Sequence, residues 1–166
     1  MLSLDPTSRG FGYAVLEAPD LLIDWGVCQV RIEKREGALR KVAALIHRFA
    51  PDTVVVEDTR DQHCRRGQRA RDLILAIVAL ARTMDVAVVR VSRTTVRDHY
   101  TDLGATNKDA VARLVVEGFP ELESFLPPRR RTWMPEHERM AVFDAISMVL
   151  VLAESAEASS TPRMFG

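Results

Sequence analysis

The run Leu2-Ser3-Leu4-Asp5 stops on a carboxylate, and this placement constrains the fold more than any other feature of the chain. A turn follows. The alternating run after it, Phe11, Tyr13 and Val15 against Gly12, Ala14 and Leu16, reads as the returning strand of a hairpin. Two more carboxylates punctuate apolar segments: Glu57 closes Val54-Val55-Val56, and Asp144 lies inside the stretch from Met140 to Leu152. Acids at the edge of a core are costly unless they are paired or bound to cations. Three that converge would supply the hard-oxygen donors of a Mg²⁺ site for phosphoryl transfer.

A chain of 166 residues is long enough for one domain with a real core. We expect that domain to span 1–154, followed by a polar tail over 155–166. The 23 basic and 23 acidic residues cancel, so net charge does not announce a nucleic-acid binder. Their distribution is less even. Arg60, Arg65, Arg66, Arg69 and Arg71 follow Glu57 closely, and Arg129, Arg130 and Arg131 are consecutive. Such clusters are commonly solvated surface; beside a carboxylate site they become candidate phosphate contacts. Cys28 and Cys64 have no metal-ligand or CxxC spacing and read as free thiols. Asp5 and Arg9 interrupt any signal-peptide core, and the apolar run Leu73–Ala81 is only nine residues, too short to span a membrane. A cytoplasmic location is the expectation.

Periodicity gives the order of elements. Two strands form the hairpin, and a third lies within Leu21–Ile32. A helix carries Leu39, Val42, Ala43, Ile46 and Phe49 on one face. Thr53–Glu57 is short and β-branched, the pattern of a strand covered on both sides. Gln68–Met84 reads as a helix apolar nearly all round, which calls for burial on more than one side, within the domain or against a second subunit. Val86–Val91 is the next strand. Ser92 and Thr106 are expected helix N-caps. The last helix is expected over about Glu136–Glu154. The sum is an α/β layer fold with an antiparallel hairpin on one side of its sheet.

Carboxylates on the first strand, the fourth strand and the last helix resemble the arrangement of the RNase H-like superfamily, and within it the RuvC family of Holliday-junction resolvases. Asp5-Pro6-Thr7-Ser8-Arg9-Gly10-Phe11-Gly12-Tyr13 resembles that family's first-strand motif. Pro51-Asp52-Thr53-Val54-Val55-Val56-Glu57 is similar to its strand ending in the catalytic Glu. Arg93–Ala112, with Val96, Gly104 and Lys108, resembles its fifth strand and Lys-bearing helix start, and Phe143-Asp144-Ala145 its last-helix Asp-Ala. The resemblance covers roughly residues 1–153. It implies a mixed five-stranded sheet with helices on both faces. It also implies a metal-dependent endonuclease acting on branched DNA, and a homodimer, expected to form through the Gln68–Met84 helix.

The implied site holds two Mg²⁺ ions, with Mn²⁺ able to substitute. One ion would activate an attacking water and the other would steady the leaving 3′ oxygen. Asp5 would bridge the ions, Glu57 and Asp144 would each bind one, and Lys108 would neutralise charge on the scissile phosphate. Arg60, His63, Arg65, Arg66, Arg69, Arg93, Arg129, Arg130 and Arg131 are the candidate nucleic-acid contacts.

Two departures stand out. The family carries another ligand three residues before the last-helix Asp, where this chain has Ala141. His137, seven residues before Asp144, would return to nearly the same helix face and is the candidate substitute. The family also places an aromatic wedge in the loop after the catalytic Glu, and Asp58–Arg66 contains no Phe, Tyr or Trp. RNA processing of the YqgF type and a catalytically degenerate binding module therefore stay open. An actin-like kinase, which shares the Asp-bearing hairpin, needs two copies of the fold, and this chain has the length of one.

Overall fold

The computed structural model of the protein describes residues 1–129 and 133–160. Five strands and five helices follow in the order β1 (Leu2–Thr7), β2 (Gly10–Ala18), β3 (Leu21–Gln29), α1 (Lys34–Phe49), β4 (Thr53–Glu57), α2 (Gln68–Thr83), β5 (Ala87–Val91), α3 (Arg93–Asp102), α4 (Lys108–Gly118) and α5 (Met140–Ser160) among the described residues. A 3₁₀ turn, Pro120–Phe125, follows α4. The strands form one sheet in the order β3-β2-β1-β4-β5. β1 to β3 are antiparallel, and β4 and β5 run parallel to β1. This is the mixed five-stranded α/β architecture of RNase H-like folds, with helices on both faces.

β1 runs past Asp5 and Pro6 to Thr7, and the turn is Ser8-Arg9, with Thr7 opposite Gly10. Pro6 is tolerated because β1 pairs with β4 only at Leu2 and Ser3, so its missing N–H costs no ladder bond on that side. Gly10 closes the turn at φ 152°, where a Cβ would lie 1.8 Å from the Cys28 carbonyl oxygen.

Strand alternation sorts the core into two layers. Leu2, Leu4, Val54 and Val56 point to α1 and α2, where they pack with Val42, Ile46, Ile74 and Ile77. Val55 faces the other way, toward α5 and its flanking α3 and α4. Ser3, Asp5 and Glu57 have the parity of Val55, and all three are buried.

α5 is buried on every side from Met140 to Val149 because it lies across β1, β2 and β4 under α3 and α4. It begins at Met140 rather than near Glu136, and it continues to Ser160 rather than ending near Glu154. α4 is capped by the Asn107 side chain, which accepts from the Ala110 N–H at 2.9 Å, and not by Thr106. α2 turns out one-sided. Leu73, Ile74, Ala76, Ile77, Val78 and Ala81 are buried, whereas Leu75 is 50% exposed. Among the described residues no helix is long and apolar enough to cross a membrane.

Candidate active site

Asp5 and Glu57 reach one point because β1 and β4 are neighbours and both residues fall on the α5 side of the pleat. Asp144 is brought there by the docking of α5. The buried Ser3 hydroxyl donates to the Ala145 carbonyl at 2.7 Å, one residue beyond Asp144, and sets the helix against β1. The three carboxylates are 2%, 2% and 5% exposed.

Each acid is paired with a cation. The Arg93 guanidinium touches all three, at 3.0 Å from Asp144 Oδ1, 3.3 Å from Asp5 Oδ1 and 3.5 Å from Glu57 Oε2. Arg66 spans two of them: Nε donates to Glu57 Oε2 at 2.8 Å, Nη2 donates to Asp5 Oδ1, and Nη1 donates to the Pro6 carbonyl at 2.7 Å. Lys108 Nζ donates to Asp144 Oδ2 at 2.7 Å and to Glu136 at 2.6 Å. The Cys64 thiol lies 3.6 Å from Glu57 Oε1.

Arg93 and Lys108 are the first residues of α3 and α4. A cation at a helix N-terminus works against the dipole by about 0.3–1 kcal/mol, so it is the acids that hold them there. The opposing forces show in the protonation equilibria. Burial pushes the Asp5 carboxyl up to about 6, against the pull of Arg66. Burial acts the same way on Asp144, but Arg93 and Lys108 overcome it and leave that carboxyl below the ordinary range. Lys108 and Arg66 are desolvated too, yet the acids beside them raise both above their usual values.

The loop that delivers Arg66, residues 58–67, is tied down along its length. Asp58 takes a two-pronged bond from Arg60, and its N–H donates to the Val91 carbonyl at 2.8 Å. Ser92 Oγ donates to Asp61. Arg71 donates to the carbonyls of Cys64 at 2.7 Å and Arg66 at 3.0 Å.

The candidate nucleic-acid contacts divide accordingly. Arg66 and Arg93 face inward, each bonded to the acids. Arg65, Arg69 and His63 are exposed on the 58–67 loop and the start of α2, with Arg60 beside them on Asp58. Arg129 lines, with Arg113, a cleft of about 470 Å³ beside the start of α4. Arg130 and Arg131 lie outside the described residues.

His137 precedes α5, so the helical spacing that would set it over Asp144 does not apply. It is exposed, its Nδ1 accepts from the Arg139 N–H at 3.2 Å, and it shares a cavity of about 200 Å³ with Lys108 and Glu136. Ala141 packs on β2, where a Cβ placed on Gly12 would lie 2.6 Å from its own. The small pair lets α5 approach Asp5, and it fills the position where the family has a ligand.

The donor chemistry suits a divalent ion, since buried carboxylate oxygens are what Mg²⁺ and Mn²⁺ prefer. With the guanidinium groups in place, however, no cluster of three His, Cys, Asp or Glu among the described residues is arranged to hold one. Sequence reasoning also passed over Glu136, the second partner of Lys108, and Trp133, which is 75% exposed three residues before it. Trp133 stands just after the Arg129-Arg130-Arg131 run, and that position was the signal that could have found it.

No protein-family model and no curated protein matches the chain. Solved structures do. The Thermus thermophilus RuvC structure superposes with a TM-score of 0.61 at 21% identity, covering 96% of this chain and 98% of that one. T. thermophilus RuvC in complex with a Holliday junction substrate gives 0.61 at 19% identity, covering 97% and 98%. The chain has the RuvC-like fold.

Proposed function

We propose that the protein is a divalent-metal-dependent endonuclease that cuts structured nucleic acid, with branched DNA as its first substrate. The observation that carries this reading is the convergence of Asp5, Glu57 and Asp144 on a single guanidinium. Three acids from two strands and a helix have no packing reason to meet in a core, where each is costly. The Holliday junction held by the structural neighbour supports the choice of substrate.

Asp5 and Glu57 would hold the ion, Mg²⁺ or Mn²⁺. When bound, it would supply Lewis-acid stabilisation of the charge that develops at the scissile phosphate. Asp144 keeps Lys108 and Arg93 aimed at the cluster, where their charge would face the negative charge growing on the phosphate. Arg65 and Arg69 would register the backbone, and Trp133 would offer a stacking face to an unpaired base in place of a wedge after Glu57. Cutting two opposed strands takes two sites, so we place a second copy of the chain against the exposed side of α2.

One observation favours a second reading, a metal-free nucleic-acid-binding module: three cations already balance the three acids. Incubating tag-free protein with four-way junctions, flaps and RNA duplexes in Mg²⁺ or Mn²⁺ separates the two. The nuclease cuts junctions, and Asp5→Asn stops cutting while junction binding persists. Preference for RNA duplexes moves the substrate to RNA. Binding without cutting in either metal leaves the module.

A further inference from the structure

The three cations around the acids are not held alike, and the difference bears on how many ions the site admits. Both oxygens of Asp144 are already engaged by cations: Arg93 takes Oδ1 at 3.0 Å and Lys108 takes Oδ2 at 2.7 Å. Both cations stand at the first position of a capped helix. Ser92 Oγ accepts from the Thr94 N–H at 3.1 Å ahead of Arg93, and Asn107 Oδ1 accepts from the Ala110 N–H at 2.9 Å ahead of Lys108. No further donor joins Asp144 from its own helix, because Ala141 offers only a methyl group packed against Gly12. Arg66 differs. It comes from a loop rather than a helix start, and its guanidinium bonds Asp5, Glu57 and the Pro6 carbonyl but not Asp144.

We propose that this site takes one divalent ion, not two. The ion replaces the Arg66 guanidinium between Asp5 and Glu57, while Lys108 on Asp144 and Arg93, which reaches all three acids, stay as resident cations. Charge supports that count. With Arg66 in place, the three buried acids and three cations cancel. Exchanging Arg66 for one divalent ion leaves a single positive excess, which one phosphodiester neutralises. A second ion would leave three, with one phosphodiester to meet them. Glu136, on the far side of Lys108, is 40% exposed and screened by solvent.

The inference rests on reading the acids as a metal site, and its test is independent of cleavage. Mn²⁺ titrated into wild-type protein and followed by electron paramagnetic resonance should saturate at one ion per chain. Arg66→Gln should still take one, at least about tenfold tighter, because a buried like charge has gone. Arg93→Gln, which frees Asp144 Oδ1, should admit a second, weaker ion. Two ions per wild-type chain would overturn the proposal, as would no ion in either wild type or Arg66→Gln. Affinity unchanged in a folded Arg66→Gln would remove Arg66 from the ion's place. No ion in wild type but one in Arg66→Gln supports it. Should that variant fail to fold, the wild-type stoichiometry decides: one ion supports the proposal, and two or none overturns it. One ion without cleavage would defeat the nuclease reading alone, and two ions with cleavage would defeat this inference alone.

Discussion

Arg60, Arg65, Arg66, Arg69 and Arg71 are equivalent in the sequence, and the path of the 58–67 loop into the start of α2 gives them different work. Arg66 enters the acid cluster, Arg71 holds the loop's carbonyls, Arg60 answers Asp58, and Arg65 and Arg69 stay in solvent. No periodicity could separate them, because the loop has none; only its long-range ties to Val91 and Ser92 fix which guanidinium turns inward. The acids were easier to read, since a carboxylate ending an apolar run demands an explanation and pairing or cations were the two on offer. Trp133 allows a test at this scale. Base stacking on an aromatic is worth about 1–3 kcal/mol by alanine substitution, or about 5–150-fold in affinity. Trp133→Ala in an Asp5→Asn background should weaken junction binding within that range, and Trp133→Phe should restore most of it, by anisotropy of a labelled junction. Equal binding by all three proteins would take Trp133 off the nucleic-acid path.

Elements were legible where one force dominated. β4 falls on Thr53–Glu57 as read, because three consecutive valines between Pro51-Asp52 and a charged loop suit only a doubly covered strand. Elements were misjudged where a local signal met tertiary packing. Asp5-Pro6 looked like the turn, but pairing with β2 carries β1 through it. Glu136 and His137 looked like a helix start, but Glu136 is held by Lys108 and the helix begins later, on Gly12. α2 looked apolar all round, and the sheet claims one side of it while Leu75 remains exposed. Leu75 and Ile77 therefore separate assembly from folding. Leu75→Glu should shift stability by no more than about 0.5 kcal/mol, yet turn a wild-type dimer into a monomer in sedimentation. Ile77→Glu puts an unpaired charge into the core and should cost about 4 kcal/mol. A folded Leu75→Glu that sediments like wild type would exclude this face as the interface.

Across the whole molecule, one sheet divides the protein into two cores, and each holds one of its two tyrosines. Tyr13 packs with the α1 and α2 layer, and its hydroxyl donates to Asp24 at 3.2 Å. Tyr100 is buried with α3 and α5. Burial, and then Asp24, pushes the Tyr13 phenol up to about 12; burial, and then Glu154, raises Tyr100 as well. The sign follows from which form the fold prefers. An unfolded tyrosine ionises near pH ~10, and the native state holds both phenols neutral above that. Their contribution to stability is therefore fully present below pH ~10 and is lost as pH rises past it. Both layers share β1, β2 and β4, so neither can release its tyrosine while the sheet persists as a cooperative unit. Ultraviolet titration should thus show little phenolate at pH ~10, then both tyrosines ionising in one step with the loss of helical circular dichroism. Single variants Tyr13→Phe and Tyr100→Phe should each leave half the amplitude at the same midpoint. Two separate midpoints, or a tyrosine titrating normally in protein that is still helical, would mean that the two layers open independently.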